Sequence, residues 1–489
     1  MSADSNASIR KLDPTNLWNH FCDLNAVPRP SKKEERVIEF IKSFGESLNL
    51  ETSVDQAGNV IIRKPATAGK EQSKTVVLQS HLDMVHQKNA DTEFDFDSQG
   101  IQMLIDGDWV KANGTTLGAD NGMGVASILA VLASNDIAHG PLEGLFTIDE
   151  ETGMTGALKL SPDLLQGKML LNTDTEDEGE LTIGCAGGID STFSLDCELN
   201  SATPGTPMEI AVTGLAGGHS GCEIHLGRGN ANLIMNRIFQ ACMQQTDFGL
   251  EVASLNGGSL RNAIPRESFA LLNVTGDVKA FTNTVATIAD EVKSEFAEAD
   301  NGLSIVCKES DKGTEKVLPA EILDKLVASI AGAPAGVIGM SQTVDGLVET
   351  STNLAKVTIG PTGVAVDFLS RSSVESEKTK VTHDIEAVFK SLGGKTVHSG
   401  DYPGWEPNAD SALLQTMKKT YAELFGKQPT VNAVHAGLEC GIIGSHYPAM
   451  DMVSFGPTIR NPHSPDEKCH IPSVSKYWDY LRELLGRIE

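Results

Sequence analysis

The chain has 489 residues, enough for two or three domains with a sizeable core, and its 40% hydrophobic and 21% charged content is that of a globular protein. Lys and Arg number 39 against 66 Asp and Glu, a formal charge of -27, which sets the surface against phosphate backbones, so no nucleic-acid partner is expected. Forty-seven glycines and 5% aromatics suit a sheet-based enzyme better than a helical bundle.

The opening Met1–Pro14 is polar and carries no secretory signal pattern. A helix is expected over 16–24, broken by Pro28 and Pro30. A second follows, with Ser31 as N-cap and Glu34 closing a capping box. Short apolar runs at 59–63, 75–79, 144–148 and 169–171 read as strands, and 121–133 as a helix. Apolar strands separated by helices argue for a mostly parallel sheet covered on both faces. Met123–Ala133, the longest apolar stretch, is too short to span a bilayer, so no membrane partner is expected.

Near Gly187 the pattern changes. From 188 to 399 it reads strand, helix, two strands, helix, strand, then much the same order again from near Leu303, so an internal duplication is expected. The α/β pattern resumes with a helix over 409–425, a strand over 451–455 and a last helix capped by Ser473. The expected architecture is therefore an α/β catalytic domain (1–187 and 400–489) interrupted by an inserted α+β lid domain (188–399). The eight cysteines are scattered without a CxxC pair, which suggests reduced thiols and a cytoplasmic location.

Five motifs follow predicted strands or open a helix. In Ser80–Val85, His81 and Asp83 are two apart and share a face of an extended chain; a carboxylate beside a metal-bound His orients it. Asp120, at the start of a helix, reads taken alone as an N-cap. Asp149, Glu150 and Glu151 end an apolar strand, where successive acids repel unless cations or solvent compensate. Asp174 directly follows another apolar run, and His463, alone, reads as a surface loop His. Together they fall where open α/β sheets bind ligands, at the carboxyl ends of strands.

Two His, two Asp and one Glu supply mixed N/O donors and three negative charges, suited to Zn, Mn or Co. If one carboxylate bridges, two divalent ions have three protein ligands each. Such a pair, about 3.5–4 Å apart, polarises a carbonyl and activates water near neutral pH. Glu150, next to a ligand, is the natural general base.

The stretches SHLDMV, GADNGMG, IDEETGMTGA, LNTDTEDEGE, GCAGG, GGHSG, RNAIPRE, HAGLECG and HSPDEK resemble the co-catalytic zinc aminoacylase and dipeptidase family, which includes carnosinase, tripeptidases and succinyl-diaminopimelate desuccinylase. The resemblance runs over essentially the whole chain. It implies a zinc-peptidase-like catalytic domain with a lid, and two divalent ions, Zn foremost. It assigns Asp120 as bridge, His81 and Asp174 to one ion, and Glu151 and His463 to the other. Asp83 would orient His81, and Glu150 would activate the water and pass its proton to the leaving amine. His219 is similar to a lid histidine that stabilises the oxyanion, in cis or in trans within a homodimer formed through the lid. Asn262 and Arg371 resemble lid residues holding the substrate carboxylate. Glu439 is a further candidate, for the substrate's amino group.

The implied activity is hydrolysis of dipeptides with free amino and carboxyl ends, Xaa-His (carnosine-like) substrates included. Within the hydrolases the alternatives are an N-acyl amino acid deacylase or a tripeptidase; outside them, a non-catalytic metal-binding protein.

Overall fold

A computed structural model describes residues 6–489; the first five residues of the polar opening segment lie outside the described residues. The chain divides into two compact units, one of Met1–Gly184, Pro407–Ala433 and Leu438–Glu489, the other of Cys185–Glu406 and Val434–Gly437. The short return at 434–437 interrupts the segment read as one piece from 400 onward, and no shift in composition marks it.

The first unit is built on an eight-stranded sheet. Its four central strands, in the order Leu142–Thr147, Val76–His81, Met169–Asn172 and Asp451–Ser454, are parallel. Val60–Lys64 and Glu51–Val54 extend it antiparallel on one side, and Glu180–Cys185 continues it antiparallel from Asp451–Ser454 on the other. The sheet is thus mixed, with its parallel part confined to the strands that carry the site. Val76–His81, Leu142–Thr147 and Met169–Asn172 are buried at every position. Strands covered on both faces read as continuous apolar runs, which is why alternation is absent from their sequences.

Helix Ala119–Ala133 packs on the Val76–His81 strand and is buried everywhere except at Asp120 and Ala133. A small antiparallel sheet pairs Ile459–Arg460 with Lys468–His470 and the latter with Trp109–Ala112, fixing both ends of the loop that carries His463.

Two caps differ from expectation. Helix Glu35–Ser47 starts beyond Ser31, whose Oγ donates to Met84 O at 3.3 Å, while Glu34 accepts from Lys32 N at 2.9 Å. Pro30 bridges Met84, so tertiary pairing holds Ser31 away from the helix. The last helix, Ile471–Arg487, has His470 at its N-cap; Ser473 sits inside it, donating to His470 O and accepting from Thr458 N.

The second unit holds a nine-stranded antiparallel sheet. Thr206–Thr213 alternates strictly in burial toward its C-terminal end, so one face meets the helices and the other does not. The core lies between that face and helices such as Ala231–Met243, which begins at Asn230, whose side chain accepts from Asn232 N and Leu233 N. Outward from the central pair Phe248–Gly257 and Val348–Gly360, one half runs Ser268–Gly276, Thr206–Thr213, Ser304–Glu309. The other runs Gly363–Ser372, Gly187–Asp196, Lys395–Tyr402. The strand near Leu303 therefore closes the first half instead of opening the second. In the second half the counterpart of Thr206–Thr213 is Gly187–Asp196, which comes before every strand of the first half in the chain, so consecutive reading misplaces the division.

Candidate metal centre

The carboxyl ends of the four parallel strands converge in the first unit. His81 ends its strand, and Glu150 and Glu151 open the turn after Leu142–Thr147. Asp174 follows Met169–Asn172, and the loop after Asp451–Ser454 leads to His463. Such an edge, where connections leave alternate faces, is the natural cleft of an open α/β sheet.

Asp83 is buried completely. Its Oδ1 lies 3.4 Å from His81 Nδ1 and accepts from Glu150 N at 3.0 Å, and Oδ2 accepts from Glu151 N at 3.2 Å. One carboxylate thus fixes the imidazole and the backbone of the two glutamates. The turn it holds is tight: Asp149 sits at φ 55°, a left-handed conformation unfavourable for a residue with a Cβ, and its side chain is secured by Lys32 Nζ at 2.5 Å, Thr152 and Thr155.

Asp120 presents a different oxygen to each imidazole. Oδ1 is 3.2 Å from His81 Nε2, and Oδ2 is 3.3 Å from His463 Nε2. Around this carboxylate stand two triads, His81 with Asp120 and Asp174, and Asp120 with Glu151 and His463; within each, one donor atom per residue lies within 4.8 Å of the others. His81 Nε2 is 3.4 Å from Asp174 Oδ1, and His463 Nε2 is 2.9 Å from Glu151 Oε2. His463 is half exposed, its Nε2 turned inward; it too has a left-handed backbone, φ 60°. Glu150 Oε2 stands 3.9 Å from His81 Nε2.

The site is strongly acidic for its burial. Burial, then Asp174, Glu151 and Glu439, hold the Glu150 carboxyl well above its usual range, with His81 opposing. Glu151 is raised by burial and Asp120 against the pull of His463. Burial and the charges of Asp120 and Asp174 push Glu176 up to about 8. Burial would lower His81, but Asp174, Asp120 and Asp83 outweigh it and raise the imidazole well above 6.5. Asp120 is the exception: the two imidazoles overcome its burial and depress it. The imidazoles, with the buried Arg29 guanidinium, thus offset the crowded carboxylates.

The residues fit a pair of divalent cations. Each triad offers nitrogen and carboxylate oxygen in the mixture preferred by zinc-class ions. Glu151 Oε1 is buried without a hydrogen-bond partner, an arrangement that is costly unless something positive meets it.

In the second unit, His219 Nδ1 accepts from Gly221 N at 3.2 Å and Cys222 N at 3.0 Å, which leaves Nε2 as the N–H donor. Burial and the positive charge of Arg371 lower its pKa, keeping it neutral. Gly218, at φ 132°, gives this turn a conformation closed to other residues. Arg371 is 5% exposed; Nη1 donates to Tyr402 Oη at 2.8 Å and Nε has no partner. Asn262 is exposed, and its backbone carbonyl accepts from Ser220 N at 2.9 Å. Glu439 is in the first unit and only 1% exposed, accepting from Gln79 Nε2 at 2.7 Å and Thr147 Oγ1 at 2.6 Å, with Oε1 unpartnered.

Sequence reasoning passed over three residues. Glu176 stands within LNTDTEDEGE and Glu467 within HSPDEK, and Arg29 lies between two prolines. Arg29 and Glu467 are buried and bind backbone groups of the site loops. A charged residue inside an otherwise well-matched motif was the available signal for the two glutamates; Arg29 had none.

The model of Peptidase family M20/M25/M40 matches residues 77–487. The chain is 46% identical over 484 residues to the cytosol non-specific dipeptidase of Escherichia coli, covering 99% of each. Among solved structures it is similar to the aminoacylhistidine dipeptidase of Vibrio alginolyticus, with 43% identity, 98% of each chain covered and a TM-score of 0.92. It shares its fold with the aminopeptidase PepT of Bacillus cereus at 16% identity, 98% and 99% coverage and a TM-score of 0.57. A match over most of the chain, relatives of nearly equal length and a parallel-strand edge crowded with carboxylates and imidazoles lead to one conclusion: this chain belongs to Peptidase family M20/M25/M40.

Proposed function

We propose that this peptidase hydrolyses dipeptides with free amino and carboxyl ends, Xaa-His substrates included, using two divalent ions, zinc foremost with manganese or cobalt as alternatives. His81, Asp120 and Asp174 would hold one ion and Asp120, Glu151 and His463 the other. The observation that carries this reading is Asp120, whose two oxygens face different imidazoles at 3.2 and 3.3 Å. When bound, the ions supply the positive charge that polarises a peptide carbonyl and favours ionisation of a water. Glu150, beside Glu151 and with Oε2 3.9 Å from His81 Nε2, takes a proton onto its carboxylate and returns it to the leaving amine. Asp83 holds His81 through Nδ1 and the Glu150–Glu151 backbone through its two oxygens.

The second unit supplies His219, whose Nε2–H suits an oxyanion, and Asn262 and Arg371 for the terminal carboxylate. The unpartnered Nε supports a charge-assisted bond from Arg371. Glu439 remains the candidate for the amino end through its free Oε1. The names of the Escherichia and Vibrio relatives support the dipeptide class and Xaa-His substrates. The reading includes a cytoplasmic location, supported by cysteines scattered without a CxxC pair and by the name of the Escherichia protein; no helix of the described residues is long and apolar enough to cross a membrane. It also includes pairing of two copies through the second unit, supported by the exposed apolar side chains Leu260, Phe269 and Val306; no nucleic-acid partner is part of it.

The test is turnover of Ala-His beside N-acetylated Ala-His and Ala-Ala-His. Fast cleavage of the first alone is expected, because each blocked or added end leaves a recognition group unpaired. Equal rates would return the assignment to the deacylase or tripeptidase readings, and no turnover of any would favour a metal-binding protein without catalysis.

A further inference from the structure

His463 and Glu467 share the loop between Ile459–Arg460 and Lys468–His470. Glu467 is 2% exposed, and its carboxylate accepts four consecutive backbone N–H groups. Oε2 takes those of Leu117 and Gly118, at 2.7 and 2.9 Å, and Oε1 those of Ala119 and Asp120, at 2.7 and 3.2 Å. The other side of this peptide is gripped by Arg29, 1% exposed. Its Nη2 donates to Gly118 O at 2.6 Å, and Nη1 donates to Leu82 O and Asp83 O, each at 3.1 Å. The fit is close: a Cβ on Gly118 would lie 2.6 Å from Arg29 Nη2.

We propose that Glu467 is a positioning residue for the metal centre, an inference that rests on the di-metal reading above. Its carboxylate locks the backbone of Leu117–Asp120, so that Asp120 turns one oxygen to each imidazole. Because the same loop carries His463, Glu467 also fixes the spacing of two members of the Asp120, Glu151 and His463 triad. The other triad shares Asp120 but has a further anchor, since Arg29 also holds Leu82 O and Asp83 O beside His81. Removing Glu467 therefore weakens one half of the centre more than the other. A carboxylate is required because four N–H donors need two acceptor oxygens. A glutamine offers one oxygen and turns an NH2 toward two of the donors.

The experiment uses the full chain as wild type, Glu467→Gln, Glu467→Ala and Ile41→Ala, stripped by chelation and titrated with zinc against a chromophoric competitor. Ile41 is buried in helix Glu35–Ser47 and takes no part in the centre, so it controls for lost stability. The first zinc should be weakened much less than the second in both Glu467 variants. The second should bind about 10- to 100-fold more weakly, the usual effect of losing a group that supports metal ligands. At limiting zinc, kcat should fall with KM little changed, and excess zinc should restore it. Ile41→Ala should bind both ions normally. Two normal affinities in the Glu467 variants would overturn the proposal, as would equal loss in Ile41→Ala or failure of both Glu467 variants to fold. Fewer than two ions on wild type would instead overturn the di-metal reading itself.

Discussion

At Glu150, chemistry and ion binding can be separated by one substitution. Glu150→Gln keeps the shape and removes the proton acceptor, so kcat on a dipeptide should fall by about 10²–10⁴ while metal content is unchanged. Turnover near that of wild type would exclude it as the base. Asp83→Ala should behave differently, costing about 10- to 100-fold in metal affinity or activity, because its two oxygens hold one imidazole and two backbone amides instead of a proton in flight. The first of these roles was legible from sequence because the residues concerned are neighbours: two-residue spacing on a strand puts His81 and Asp83 on one side. Arg29 was not legible, and Glu467 only as a charged residue within HSPDEK, since both act on backbone groups distant in the chain and nothing in local spacing reports a backbone partner. Glu439 was visible as a residue, but its burial against Gln79 and Thr147 depends on how strands stack.

The elements differ in what a lesion does. Leu129, fully buried in the helix that begins at Asp120, is a packing residue; Leu129→Ala should cost about 2–5 kcal/mol, read as a lower urea midpoint. Loss of well under 1 kcal/mol would show that this helix is not tightly enclosed. In the second unit, burial pushes the His435 imidazole down to about 3, with the charges of Arg371, His219 and His225 adding to the effect; Ser351 Oγ meets its Nε2 at 2.7 Å. An unfolded His titrates near 6.5. Between these values the unfolded chain binds a proton that the folded chain refuses, so this contribution is complete above about pH 6.5 and declines as pH falls. The stability difference between wild type and His435→Gln should therefore shift against wild type from pH 7 to pH 5, by up to about 1.4 kcal/mol per pH unit. A constant difference would contradict the depressed pKa. Apolar periodicity revealed the strands and helices because burial imposes it. Both mistaken caps, at Ser31 and Ser473, involve serines with acceptable sequence context whose hydroxyls were taken by Met84 O and Thr458 N.

For the molecule as a whole, the insertion of one folding unit into another was readable because strand patterning switches from continuous to alternating near Gly187. The strand pairing of the second unit was not, since Gly187–Asp196 joins a sheet beside segments almost two hundred residues later. Local patterns carry no such register. If His219 serves the neighbouring copy in a pair joined through this unit, mixing inactive Glu150→Ala with inactive His219→Ala should restore activity; a mixture that stays inactive would place His219 in its own chain's site. The most direct test of the central claim is metal content per chain in wild type and Asp120→Ala. Two zinc-class ions on wild type and loss of both on removing the carboxylate between the imidazoles is the expected result. One ion on wild type, or tight retention of an ion by Asp120→Ala, would contradict a centre shared through Asp120.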